Sequence, residues 1–171
     1  MAKVAPSRQR RGWLDNLKET IPGYIGYAEK EHRRTTDQLQ REYLANQLGQ
    51  LVPSINELIH ELTGSGRVLE ALPLTRVMEG LKKLQTRLRR TGYASTLFFR
   101  DDQIPEPQLD QMYQFDLVLL QQTDDLKRRV QKFKTNRSQA ELLKAGEELE
   151  AAIEALSSEF EVRADTIKAY R

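Results

Sequence analysis

A chain of 171 residues with 39% hydrophobic and 30% charged side chains is long enough to bury one core, and its charge-rich mixture suits a narrow helical bundle. It contains no cysteine, which excludes disulfides, thiolate metal sites and a cysteine nucleophile. The basic start has no continuous apolar stretch of signal-peptide length and no stretch approaches the roughly 20 apolar residues of a membrane span, so the default expectation is a cytoplasmic protein.

Residues 1–12 hold Pro6, Ser7, Gly12 and the cations Lys3, Arg8, Arg10 and Arg11, with little to bury, and read as a disordered arm. From Trp13 to Ile21 the spacing predicts a short amphipathic helix with Trp13, Leu14, Leu17 and Ile21 on one face, stopped by Pro22 and Gly23. The next helical run is expected from Tyr24 to Thr63, on a seam of Leu44, Leu48, Leu51, Ile55, Leu58 and Leu62. Gly49 and Pro53 lie inside it. They predict a kink without a chain reversal, because the seam continues through them, and Gly64, Ser65 and Gly66 end the element.

A second long helix is expected to open at Pro73 and to carry Val77, Leu81, Leu84 and Leu88 as far as Gly92. Residues 92–107 read as a long connection pinned to the bundle by Tyr93, Phe98, Phe99 and Ile104. A third helix follows Pro107, its buried side sketched by Leu109, Met112, Phe115 or Asp116, Leu119, Leu120, Leu126, Val130 and Phe133. Ser138 and Glu141 match a capping box, which opens a final helix seamed by Leu142, Ala145, Leu149, Ile153, Leu156 and Phe160. The short link before Ser138 makes the last two helices an antiparallel hairpin. The fold class is therefore all-α: an elongated antiparallel bundle of about four long helices with a short N-terminal amphipathic helix. Residues 1–23 form the arm and 24–171 the bundle domain.

Catalytic and metal signatures are few. His32 and His60 each follow a glutamate by three positions, Glu29 and Glu57, in the manner of di-iron carboxylate bundles. The two pairs are separated by about 42 Å along one helical run, at the ordinary rise per residue, so they cannot share a metal pair and read as surface histidines. Asp101 with Asp102, and Asp124 with Asp125, are adjacent acids suited to capping or solvation rather than acid–base chemistry. No P-loop, dinucleotide loop, nucleophile elbow, zinc-protease helix or EF-hand loop is present. No catalytic residue, metal, cofactor or small-molecule substrate is expected.

Charge suggests partners instead. Lys127, Arg128, Arg129, Lys132, Lys134 and Arg137 form a basic run that Glu141, Glu147, Glu148 and Glu150 of the returning helix are expected to neutralise. Lys82, Lys83, Arg87, Arg89 and Arg90 have fewer acids nearby and form a candidate basic patch. At the N-terminus, Arg8, Arg10 and Arg11 precede the wedge of Trp13, Leu14, Leu17 and Ile21. That combination fits an anionic membrane surface or a partner protein, while docking on the protein's own bundle is the competing expectation. The expected function is thus a non-catalytic interaction or scaffold protein, associating with a protein partner or a second copy, with peripheral membrane attachment through the arm. The alternative is a nucleic-acid-binding bundle that uses the cations of the second long helix and the arm.

Overall fold

In the computed structural model, residues 7–135 and 138–171 are described, and among them the only regular structure is helical. Helix α1 covers Arg8–Thr20. It starts earlier than the wedge alone implies, because the Ser7 side chain accepts a hydrogen bond from the Arg10 amide and caps it. The expected disorder of residues 1–12 therefore does not extend over residues 7–12, and residues 1–6 lie outside the described part.

The expected continuous run from Tyr24 is divided. Residues 21–29 form a loop in which Gly23 and Gly26 take φ of 81° and 124°, values that side chains with a Cβ avoid. Helix α2 then covers Lys30–Gly49 and α3 covers Leu51–Gly64. They are separated by Gln50 alone, whose own φ and ψ of −66° and −21° are helical, so the column is interrupted without reversing. Pro53 sits in the first turn of α3, where its missing donor costs nothing.

Helix α4 covers Val68–Arg89. Pro73 is thus inside the helix rather than at its start, and its ring packs against Gly146, where an added Cβ would lie 2.9 Å from the proline Cβ. The long connection contains one short helix, α5, at Leu97–Arg100. Helix α6 covers Glu106–Phe133, opening just before Pro107, and α7 covers Gln139–Ala169 behind the expected Ser138–Glu141 capping box.

The side-chain pairings fix the topology. Gln85 donates to the Ala45 carbonyl and Arg41 to that of Leu88, so α4 runs antiparallel to α2. Arg129 meets Glu148 and Asp116 meets Arg163, so α6 and α7 are antiparallel as expected. Pro73 meets Gly146, Gly80 meets Ile153 and Arg87 meets Ser157, so α4 and α7 are parallel neighbours. The connection at residues 90–105 causes this: it carries the chain diagonally across one end of the bundle, leaving α4 and α6 on opposite sides of the core.

Two apolar clusters fill the bundle. The larger holds Leu44 to Leu62, Leu74, Val77, Leu81, Leu126, Val130 and the α7 seam from Leu142 to Phe160. In that seam Gly146 is buried and Ala145 only half-buried. The second lies at the end crossed by the connection and joins Leu17 of α1 and Ile21, just beyond it, to Tyr24, Tyr27, Phe98, Phe99, Met112, Tyr113 and Ile167. Leu17 and Ile21 are 0% and 1% exposed. Helix α1 thus packs its buried face into this second cluster.

Candidate functional site

Arg163 projects from the buried side of α7 into the junction between the two clusters and is fully buried. Its Nε donates to Asp116 Oδ1 at 2.8 Å, its Nη1 to Asp37 Oδ1 at 2.9 Å and to the Tyr93 hydroxyl at 3.1 Å, and its Nη2 to the Tyr27 hydroxyl at 2.9 Å. Asp116 Oδ2 accepts from the Tyr24 hydroxyl at 2.7 Å and from that of Tyr27. Asp37 accepts from Tyr93 at 2.9 Å on Oδ1 and from Arg41 Nε at 2.9 Å on Oδ2. Helix α2 supplies Asp37 and Arg41, α6 supplies Asp116, α7 supplies Arg163, and the two loops at this end supply the tyrosines.

The electrostatics are those of a closed, neutral set: two carboxylates against two guanidiniums. Burial pushes the Asp116 carboxyl above the usual carboxylate range, against the pull of Arg163 and of the tyrosine hydroxyls. Burial alone would lower the Arg163 guanidinium, but Asp116, the tyrosines and Asp37 together hold it well above its ordinary value. Burial likewise raises the hydroxyls of Tyr24 and Tyr27 well above their ordinary value and pushes Tyr93 up to about 12. Every carboxylate oxygen in the set accepts at least one hydrogen bond from a side chain of the set.

Beside it, Arg33 is buried among main-chain carbonyls. Its Nε donates to Tyr27 at 2.8 Å and its Nη1 to Phe98 at 3.2 Å and to Asp101 at 2.5 Å. Burial draws its pKa down. One side chain of α2 thereby staples both loops, and the Tyr27 amide adds a bond to the Tyr113 hydroxyl at 2.8 Å. Gln40, on the same buried side of α2, has neither amide atom bonded to a described residue.

The residues singled out by the sequence go to different places. On α1, Leu17 and Ile21 are buried, Trp13 and Leu14 are half-buried against the second cluster, and Arg8 and Arg11 are exposed. Arg10 is buried and pairs with Asp110 and, at 3.5 Å, with Glu106 of α6. The wedge and one of its three cations therefore face the protein itself. The basic patch on α4 is split: Arg87 turns to α7, donating to Ser157 at 3.0 Å and lying 5.8 Å over the Phe160 ring. Arg89 and Arg90 line a cavity with Arg41, while Lys82 and Lys83 are exposed.

The basic run of α6 is neutralised differently from the expectation. Its acids come mainly from α6 itself: Asp124 lies 3.7 Å from Lys127 and Asp125 2.7 Å from Arg129. Helix α7 contributes Glu148, 3.5 Å from Arg129, whereas Glu150 reaches across to Arg76 of α4. Arg137 lies outside the described residues. His32 is half-buried, 3.5 Å from Glu29, and His60 is exposed on α3. Asp102 pairs with Lys30 at 2.8 Å, a hydrogen bond that lowers its carboxyl pKa.

By spacing, Tyr93 reads only as an anchor of the connection, and neither Arg163 nor Asp37 is singled out, although a signal for these two is present. The α7 rhythm of Leu156 and Phe160 continues through Arg163 to Ile167, and the α2 rhythm of Leu48 and Leu44 runs back through Arg41 to Asp37. A charged residue of opposite sign on each seam, at the same end of the bundle, marks a buried pair. Compared with family models, with curated proteins and with solved structures, the chain matches none.

Proposed function

We propose that the protein is a non-catalytic helical scaffold that acts through its outer surface. The observation that carries this reading is the Arg163 cluster: the most densely functionalised part of the molecule spends its carboxylate oxygens on internal donors, which suits holding helices in place rather than turning over a substrate. Docking of Leu17 and Ile21 inside the fold supports a protein-facing scaffold over a membrane-inserted wedge. The outer surface does offer apolar contacts. Val68, Leu69 and Leu72, on the first turns of α4, are 52%, 63% and 47% exposed. Nucleic-acid binding along α4 is the weaker reading, because Arg87, in the middle of the basic row, is engaged by α7.

A photo-reactive residue placed at Leu69 of the full-length protein tests this in its native extract. A defined adduct, lost when Val68 and Leu72 are both changed to glutamate with the melting temperature unchanged, is the expected result. Absence of adducts, together with a substrate turnover abolished by Asp116→Asn in a folded protein, would overturn the scaffold reading. Co-sedimentation of the full chain with anionic liposomes, dependent on Trp13, would instead restore the membrane reading.

A further inference from the structure

An open cavity of about 570 Å³ lies where the chain leaves α4, between that helix end and α2. Its lining includes Arg41, Arg89, Arg90, Gln38, Glu42 and Thr91. Arg41 is only 9% exposed and is fixed from behind: Nε donates to Asp37 and Nη1 to the Leu88 carbonyl at 2.7 Å, while Nη2 donates to no described residue. Arg89 and Arg90 are exposed and form no ion pair with a described acid. Arg34 is outside the lining and ties down Ala94, which is part of it, its Nε 3.2 Å from the Ala94 carbonyl and its guanidinium 5.7 Å over the Phe99 ring.

Three guanidiniums, those of Arg41, Arg89 and Arg90, thus line one concavity. Opposing them are Asp37, already counted in the buried cluster, and Glu42, which accepts from Gln38 at 2.8 Å. The C-terminus of α4 adds about half a negative charge, and the exposed pair Arg89 and Arg90 keeps the site net cationic. Planar guanidiniums present paired N–H groups that match the spacing of phosphate oxygens, and one buried, anchored member reduces the ordering needed on binding. The cations converge on a cavity instead of tracking a stripe, since Arg87 is turned away to α7. A single phosphate group fits this arrangement better than a polymer backbone does.

We propose that this cavity binds a phosphate group, as a phosphomonoester or diphosphate, carried by a small molecule or a lipid headgroup. Arg41 and Arg89 or Arg90 grip the oxygens, and Thr91 supplies a neutral donor at the rim. The proposal concerns a site that the scaffold reading does not use and stands or falls separately from it.

Titration calorimetry of the full-length protein with pyrophosphate and with inorganic phosphate, at ionic strength held constant with chloride, provides the test. The expected result is saturable one-to-one binding that weakens at least about tenfold in Arg89→Gln/Arg90→Gln. A control of equal charge change on the far groove between α6 and α7, Lys132→Gln/Lys144→Gln, is expected to stay within about twofold of the original. Phosphatidylcholine vesicles with and without a phosphoinositide separate the sources: capture that pyrophosphate reverses assigns the group to a headgroup, and no capture assigns it to a soluble ligand. No saturable binding, or equal weakening in both variants, would overturn the proposal. So would a response confined to oligonucleotides that strengthens with their length, because that is the behaviour of a polymer-backbone surface.

Discussion

Arg163 is the side chain whose removal reaches furthest, because Asp37 and Asp116 both depend on it inside the protein. Replacing one member of such a buried set leaves the others uncompensated and costs about 3–5 kcal/mol. Arg163→Met, which conserves much of the volume, is therefore expected to lower stability to denaturant by about that amount at neutral pH. Asp116 already sits above the usual carboxylate range, so the folded state of the variant takes up its proton before the unfolded chain does. Stability of the variant should then rise as pH falls through the raised folded pKa. A variant whose stability does not rise on acidification would contradict this account. The tyrosines give the opposite limb. Tyr93 moves from an ordinary value near 10 to about 12, so the unfolded chain releases this proton first and stability falls as pH climbs between those values. That single hydroxyl accounts for a loss of about 3 kcal/mol, at about 1.4 kcal/mol per pH unit. The Tyr93 share of the phenolate absorbance, taken by difference from Tyr93→Phe, should rise together with loss of helix in an alkaline titration, instead of ahead of it.

Between helices, two glycines separate local propensity from packing. Gly12 on α1 has nothing within 4 Å of the position its Cβ would take, so Gly12→Ala adds helix propensity alone and is expected to stabilise by about 0.5–1 kcal/mol. Gly146 on α7 would place its Cβ 2.9 Å from the Pro73 Cβ, a rigid ring in the interior of α4. Gly146→Ala is therefore expected to destabilise by about 1–3 kcal/mol through forced separation of α4 and α7, although alanine is the better helix former. Thermal melts of the two variants should move in opposite directions. The same pair shows what was legible beforehand. The seams of α3, α4, α6 and α7 and the Ser138–Glu141 box could be read from spacing, since each depends on residues three or four apart. The start of α4 could not, because it places Pro73 within a helix only by packing it on Gly146, 73 positions away. The loop at residues 21–29 was likewise hidden: Arg33, Thr36 and Tyr113 hold its main chain, with Thr36 accepting from the Gly26 amide at 3.2 Å. For the candidate site, the spacing marks Asp116 as an alternative buried position and Tyr93 as an anchor, but not their partners, which come from α2, α7 and a loop.

Over the whole molecule, the question is whether the end that carries α1 can open by itself. Its apolar cluster is distinct from the larger one, yet α6 and α7 pass through both, and the Arg163 cluster ties α2, α6 and α7 at the junction. Continuous helices crossing a junction of buried charges favour a single cooperative unit, since separating the two ends would expose Asp37, Asp116 and Arg163 together. The chain's one tryptophan, Trp13, packs against the second cluster and reports on that end alone, whereas far-ultraviolet circular dichroism weights the long helices. The two signals are expected to give coincident transitions in denaturant. Leu17→Ala removes a fully buried side chain from α1, a change that costs about 2–5 kcal/mol in a packed core. In a cooperative unit it should shift both signals to lower denaturant by the same amount. If α1 were an arm resting on an independent bundle, the tryptophan transition of this variant would move ahead while the helical signal stayed where it was, and the cluster at Arg163 would not be joining the two ends.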